Sequence, residues 1–340
     1  MQPNNNLEPI APERALAKYL QHRESEGVSE KTIQAHRYRL QHFVRWCLDN
    51  AVDSLDELST RDLQDFRIWR KQDGGLNNVT WHTQMTTLRV FVKWAESYEA
   101  IEHGLHEKIR IPKLDPDEDA RDAKFSQERA SAILEHLSEF KYASQQHTLF
   151  ALLWHTGMRI GSARAIDLRD VYMDEQYVEI HHRPQSDTPL KNKANGERPI
   201  SLALPEVELL RDYIDKRRPS VTDSHGRRPL FATLEGRAHR NTMRKWVYKL
   251  ARPCEYSGEC PHGREIAECE AARLNSKASK CPSSFSPHTI RRSSITQWLS
   301  EDVPSEAVSD RMNANEEAID KHYDKRTEKG KMEQRKDYFL

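Results

Sequence analysis

The chain has 340 residues, 36% of them hydrophobic, enough for two domains of ordinary size with packed cores. Lysine plus arginine and aspartate plus glutamate each number 53, so the net charge is zero and any polyanion must be held by local clusters of cations. Apolar stretches such as Leu149 to Trp154 are too short to span a bilayer, and the N-terminus lacks the sections of a secretory signal, so a cytoplasmic protein is expected.

Residues 1–103 are expected to form a helical domain of four helices. Pro12 suits a first helical position, with Leu16, Tyr19 and Leu20 on one face and Gly27 as a stop. After Ser29, a good cap, Ile33, Leu40, Phe43, Val44 and Cys47 keep helical spacing. Leu63 and Phe66 mark a third helix, and Met85, Leu88, Phe91, Val92 and Ala95 a fourth, with Gly74 and Gly75 between them. Residues 104–124 carry Pro112, Pro116 and an acidic run without apolar periodicity, the composition of a linker.

A mixed domain over 125–340 follows. Ser126 caps a helix with Ala130, Ile133, Leu134 and Leu137 inward, and a second helix stops at Gly157. Residues 177–180 and 198–202, joined by a polar stretch, predict a β-hairpin. Helices are predicted at about 205–217 and 240–251, then a cysteine-bearing insert at 254–283 and three more helices. The fold class is thus mainly α with a small β-sheet.

Four residues carry the chemistry: Arg159, His288, Arg291 and Tyr323. Transfer of a phosphodiester needs guanidinium forks to pair with the nonbridging oxygens of the transition state. His288 and Arg291 lie three residues apart on a predicted helix and so face one side. Tyr323, flanked by His322, Asp324, Lys325 and Arg326, has the polar setting of an accessible hydroxyl rather than of a core ring, and Tyr338 is the competing nucleophile. Taken singly, each arginine is more often a solvated surface residue, and His-x-x-Arg arises often by chance. No GxxxxGK loop is present, nor an acidic cluster spaced for a two-metal nuclease.

The stretch TGMRIGSARAIDLRDV resembles the first arginine box of the tyrosine recombinases of the phage integrase family, and HTIRRSSIT resembles the second. The segment HYDKRTEKGKMEQRKDY is similar to integrases from archaea, the salt-loving ones in particular. The motifs cover roughly residues 125–340, whereas the N-terminal helices match the family's SAM-like core-binding domain only in size and pattern. The resemblance implies that Arg159 and Arg291 clamp the scissile phosphate of double-stranded DNA and that His288 assists proton movement. Tyr323 would attack, leaving a 3′-phosphotyrosine and a free 5′-hydroxyl, with a hairpin lysine protonating the leaving oxygen. Counting back from the second strand places that lysine at Lys193, with Lys191 the alternative if the register shifts. It further implies a synaptic homotetramer and no cofactor for catalysis.

Two positions depart from the family. Its Leu-Gly-His run before the nucleophile is Met312, Asn313, Ala314 here, and its acidic residue after the first arginine is Ser162. Loss of one such donor commonly costs about two to four kcal/mol of transition-state stabilisation. A weakened or inactive DNA-binding relative is therefore the rival reading, and a type IB topoisomerase-like strand-passage enzyme a third.

Cys254, Cys260, Cys269 and Cys281, with His262, offer soft ligands for a structural zinc, although the spacing lacks the paired CxxC of a zinc ribbon. With five cysteines in all, an odd number, no disulfide framework is expected. Further DNA contacts are expected from Lys31, Arg37, Arg39 and Arg45 on the second helix, and from Trp81, His82 and Lys93 on the fourth.

Overall fold

The computed structural model describes residues 7–114 and 125–315, together with Ile319 and Met332. The chain divides into two compact units, Met1–Asp122 and Ala123–Leu340.

The first unit is built on four long helices, α1 (Pro12–Ser25), α2 (Glu30–Asp49), α3 (Thr60–Asp73) and α4 (Asn78–Ser97). Each start has a local cause. Proline opens α1, Ser29 and Asn77 accept from backbone amides of α2 and α4, and Ser59 with Asp62 forms a reciprocal capping box on α3. The apolar faces meet around Tyr19, Phe43, Phe66 and Phe91, whose rings pack edge to face. Burial pushes the Tyr19 hydroxyl and the Cys47 thiol up to about 12 each, which makes both core groups rather than reactive ones.

The stretch expected to begin a linker is instead fastened to this unit. A short helix, α5 (Leu105–Lys108), inserts Leu105 and Ile109 into the core, and Glu96 accepts from the His106 backbone amide at 2.7 Å. Arg67 donates to the Arg110 carbonyl at 2.9 Å and Gln64 to that of Lys108 at 2.8 Å. Composition alone conceals this, because side chains of α3 and α4 take up the backbone groups of a segment with no periodicity of its own.

The second unit opens with α6 (Gln127–Phe140), α7 (Gln145–Thr156) and α8 (Ile160–Ala165). A three-stranded antiparallel sheet follows, β1 (Val171–Tyr172), β2 (Tyr177–Ile180) and β3 (Arg198–Ser201), with Tyr177 opposite Ser201 and Ile180 opposite Arg198. The two-residue β1 is too short to show an alternating pattern in the sequence. After α9 (Leu204–Lys216) come a small hairpin, β4 (Ala232–Thr233) and β5 (Gly236–Arg237), then α10 (Arg240–Leu250). The insert contains α11 (Pro253–Tyr256) and α12 (Glu270–Arg273), and α13 (Pro287–Ser300) and α14 (Ser305–Met312) complete the described part. Helix α7 is buried on nearly all sides, with Phe150, Leu153 and Trp154 among its core residues, and forms the centre about which the unit packs. Among the described residues, no helix is long and apolar enough to cross a membrane.

Candidate active site

Three segments far apart in the chain meet where α7 ends. Gly157 terminates α7 in the left-handed region (φ +58°), and a Cβ there would stand 2.5 Å from Met312 Sδ. Both facts demand glycine, and the turn it makes puts Arg159 at the N-cap of α8. From α13, the guanidinium of Arg291 enters this turn, 4% exposed, and its Nη1 donates to the carbonyls of Gly157 and Met312 at 2.7 Å each. The Arg291 Nη2 reaches the Asn313 carbonyl at 3.4 Å. Arg159 Nη1 donates to Asn313 Oδ1 at 3.2 Å. Arg159 and Arg291 are thus brought together through the end of α14.

His288 lies in the first turn of α13, whose start is fixed by a capping box between Ser286 and Thr289. Although the residue as a whole counts as exposed, its imidazole is held below its ordinary range. Lost hydration among the surrounding side chains is the main cause, followed by the charges of Arg291, Arg292, Lys191 and Arg159. A neutral ring in a ring of cations can accept a proton or a hydrogen bond, and the same cations suit an anion placed among them.

The β2–β3 connection closes another side. Lys193 begins a 3₁₀ turn (Lys193–Gly196) with φ +52°. Lys191, two residues earlier, is the connection's lysine whose charge acts on His288. Asn192 Nδ2 donates to Asn313 Oδ1 at 2.5 Å, and Asn313 Nδ2 donates to the Asn195 carbonyl at 2.6 Å. Arg198, at the start of β3, donates through Nε to the Arg311 carbonyl at 2.8 Å. Its pKa is drawn down to about 10 by burial and then by Arg159 and Arg311, which marks it as a further cation beside the arginine pair. Arg198 and Arg311 escaped the sequence reading, where each stands as an ordinary basic residue next to a strand or in a helix. Tyr323, His322 and Tyr338 lie outside the described residues.

The departures noted in the sequence have structural settings. Ala314 packs beside a small apolar cluster of Ile295, Leu299, Val308, Met312 and Ile319, and its carbonyl accepts from Ser309 Oγ at 2.8 Å. Ser162 is buried on α8.

In the insert, Cys254, Cys260, Cys269, Cys281 and His262 line one small cavity, and the thiols are free. Burial raises the Cys254 thiol, Arg252 opposes the rise, and Cys281 and Cys260 add to it, so these three sulfurs are neighbours. Among the described residues, however, no group of three or more His, Cys, Asp or Glu side chains stands in a metal-holding array. Two arginines fasten the insert to the unit. Arg252, 3% exposed, donates to the Ala271 and Ala272 carbonyls, and Arg129 bridges the Ala251 and Ser283 carbonyls and the Tyr256 hydroxyl.

The expected DNA-contact residues of the first unit divide. Lys31, Arg37 and Lys93 are exposed. Trp81 is core, donating to the Arg67 carbonyl, and the Arg67 and Lys71 cations lie over its ring at 4.3 and 4.4 Å. His82 bonds the Pro112 carbonyl, Arg39 bonds Thr87, and Arg45 pairs with Asp73.

Two family models match the chain: the phage integrase N-terminal SAM-like domain over residues 16–98, and the phage integrase family over residues 124–329. Among curated relatives, the chain is 21% identical over 300 residues to a protein of Methanocaldococcus jannaschii named as a probable integrase/recombinase, covering 87% of this chain and 81% of that one. It is 24% identical to the tyrosine recombinase XerD of Staphylococcus epidermidis, covering 84% of each. Among solved structures, the Tn1549 transposon integrase in complex with a circular intermediate DNA aligns with a TM-score of 0.68 at 14% identity, over 96% of this chain and 99% of that one. A lambda integrase (75–356) dimer bound to a COC′ core site aligns at 0.64 and 13%, over 94% and 97%. At such identities the structural likenesses speak for the fold alone. The matched segments take in most of the sequence, and the chain belongs to the phage integrase family of tyrosine site-specific recombinases.

Proposed function

We propose that this chain cuts and rejoins double-stranded DNA through a covalent bond to Tyr323. The observation that carries the reading is the meeting of Arg159 and Arg291 at the end of α7, with His288 on the same helix as Arg291 and within reach of both charges, inside the segment that matches the integrase family model. In this reading Arg159 and Arg291 pair with the nonbridging oxygens of the scissile phosphate, whose charge grows in the transition state. The Tyr323 oxygen attacks phosphorus, and the 5′-oxygen of the next nucleotide departs as the bond between them breaks. His288 accepts the tyrosine proton, and a lysine of the β2–β3 connection protonates the leaving oxygen. Lys193 takes that role by its place before β3, and Lys191 by its action on His288. The phosphotyrosine keeps the energy of the broken ester, so a 5′-hydroxyl from a second strand rejoins it without a nucleotide or other cofactor.

Residues 1–103 serve in this reading as a core-binding domain and residues 125–340 as the catalytic domain, working in a DNA-bound homotetramer. The four insert cysteines are read as ligands of a structural zinc, supported by the cavity they share.

The experiment uses a duplex selected from a random-sequence pool by retention on the full chain, then nicked near each position so that a cleaved end is lost. A protein–DNA adduct on a denaturing gel supports the reading, and its absence across the selected duplexes contradicts it. Relaxation of an arbitrary supercoiled plasmid, without site preference, would move the assignment to a topoisomerase.

A further inference from the structure

Asn313 stands where the family carries the glycine of its Leu-Gly-His run, and the next residue, Ala314, replaces the histidine. The backbone at Asn313 has the left-handed conformation a glycine would take, φ +50° and ψ +56°. Asparagine tolerates that region better than most residues. A side chain is therefore placed where the family has none, and its amide bonds through both its oxygen and its nitrogen. Oδ1 accepts from Arg159 at 3.2 Å and from Asn192 of the β2–β3 connection at 2.5 Å. Nδ2 donates to the Asn195 carbonyl at 2.6 Å, while the Asn313 carbonyl faces Arg291 Nη2 at 3.4 Å.

We infer that Asn313 is a positioning residue that ties Arg159 to the lysine-bearing β2–β3 connection and so assembles the phosphate site in place of the missing histidine. The inference rests on the strand-transfer reading above. One carboxamide joins three segments: the turn after α7, the connection between β2 and β3, and the end of α14. Glycine there would keep the backbone turn and remove the side-chain bonds to the arginine and to the loop. Such a residue acts on the rate of the covalent step through the geometry of Arg159 and the loop lysine, where a misplacement of about 1 Å can cost on the order of a hundredfold. It has little effect on DNA affinity, which comes from many phosphate contacts.

The test compares wild type with Asn313→Gly, Asn313→Asp and Asn192→Ala on the selected nicked duplex, measuring duplex affinity, single-turnover adduct formation and thermal melting. Asn313→Gly is expected to bind within about twofold of wild type, melt similarly and form adduct at least tenfold more slowly. Asn313→Asp keeps an acceptor for Arg159 and is expected to recover part of the rate. Asn192→Ala removes one of the two bonds between Asn313 and the loop and is expected to slow the step several-fold, which keeps the test open should Asn313→Gly fold poorly. Wild-type rates in both Asn313→Gly and Asn192→Ala overturn the inference alone. Equal losses of affinity and rate in the folded variants do so as well. No adduct from wild type overturns the strand-transfer reading, and the inference with it.

Discussion

The guanidinium of Arg291 donates to the carbonyl of Gly157 at 2.7 Å, two residues before Arg159, and with the same nitrogen to Met312. A residue assigned to the phosphate therefore also fastens α13 to the turn after α7 and to the end of α14. Replacing it by methionine keeps the bulk and strands buried carbonyls. The expected loss is about 3 kcal/mol of stability in the catalytic unit. Arg159→Met, at a half-buried N-cap position, is expected to cost under about 1 kcal/mol. Urea melts of the two variants check the difference, and both should fail to form adduct.

Gly157→Ala meets two obstacles at once, a positive φ and the Met312 sulfur 2.5 Å from the new carbon. The strain and the overpacking together are expected to destabilise by roughly 2–4 kcal/mol. The check is a thermal melt of Gly157→Ala, with Met312→Ala added to relieve the contact. Because Met312 is itself a buried core residue, Met312→Ala alone is expected to cost about 2–5 kcal/mol, and relief of the contact should show as a double variant less destabilised than the sum of the two single changes.

Burial lowers the His147 imidazole to about 4, and its Nδ1 has no hydrogen-bond partner among the described residues. Above pH 6.5 the ring is neutral in both the folded and the unfolded chain and has no effect. As pH falls from 6.5 towards 4, the unfolded chain takes up a proton that the folded one refuses, so stability declines by up to about 3 kcal/mol. His147→Gln is expected to flatten this part of the stability–pH curve, measured by denaturant titration at a series of pH values.

If the insert cavity takes zinc, purified protein should carry about one equivalent per chain by elemental analysis. A chelator should then lower the melting temperature of the catalytic unit, because metal binding is linked to the folded insert. Substoichiometric metal together with an unchanged melt would remove zinc from the account.

The helices were legible because their caps and apolar spacing are local. Pro12, Ser29, Ser126 and Gly157 each mark an end that the fold observes. The hairpin strands were legible as 177–180 and 198–202, of which the second ends at Ser201 in the fold, while the two-residue β1 was not. Arg159, His288 and Arg291 could be named from their motifs, yet the sequence carried no sign that Arg291 is a buried staple as well. Nor could it show that Arg198 and Arg311 join the array, since their roles arise from contacts more than a hundred residues apart. The burial of Trp81, named above as a DNA contact, was not legible for a related reason. Its neighbours in the chain are polar, and only the packing of α3 on α4 covers its ring.

The central claim is that Tyr323 becomes joined to DNA, and the most direct measurement locates the bond. The adduct formed on the nicked duplex is digested with nuclease and protease, and the peptide bearing a nucleotide is sequenced by mass spectrometry. The expected result is a 3′-phosphonucleotide on Tyr323, absent from the Tyr323→Phe variant. A nucleotide on Tyr338 or any other residue, or an adduct that survives Tyr323→Phe, would contradict the account.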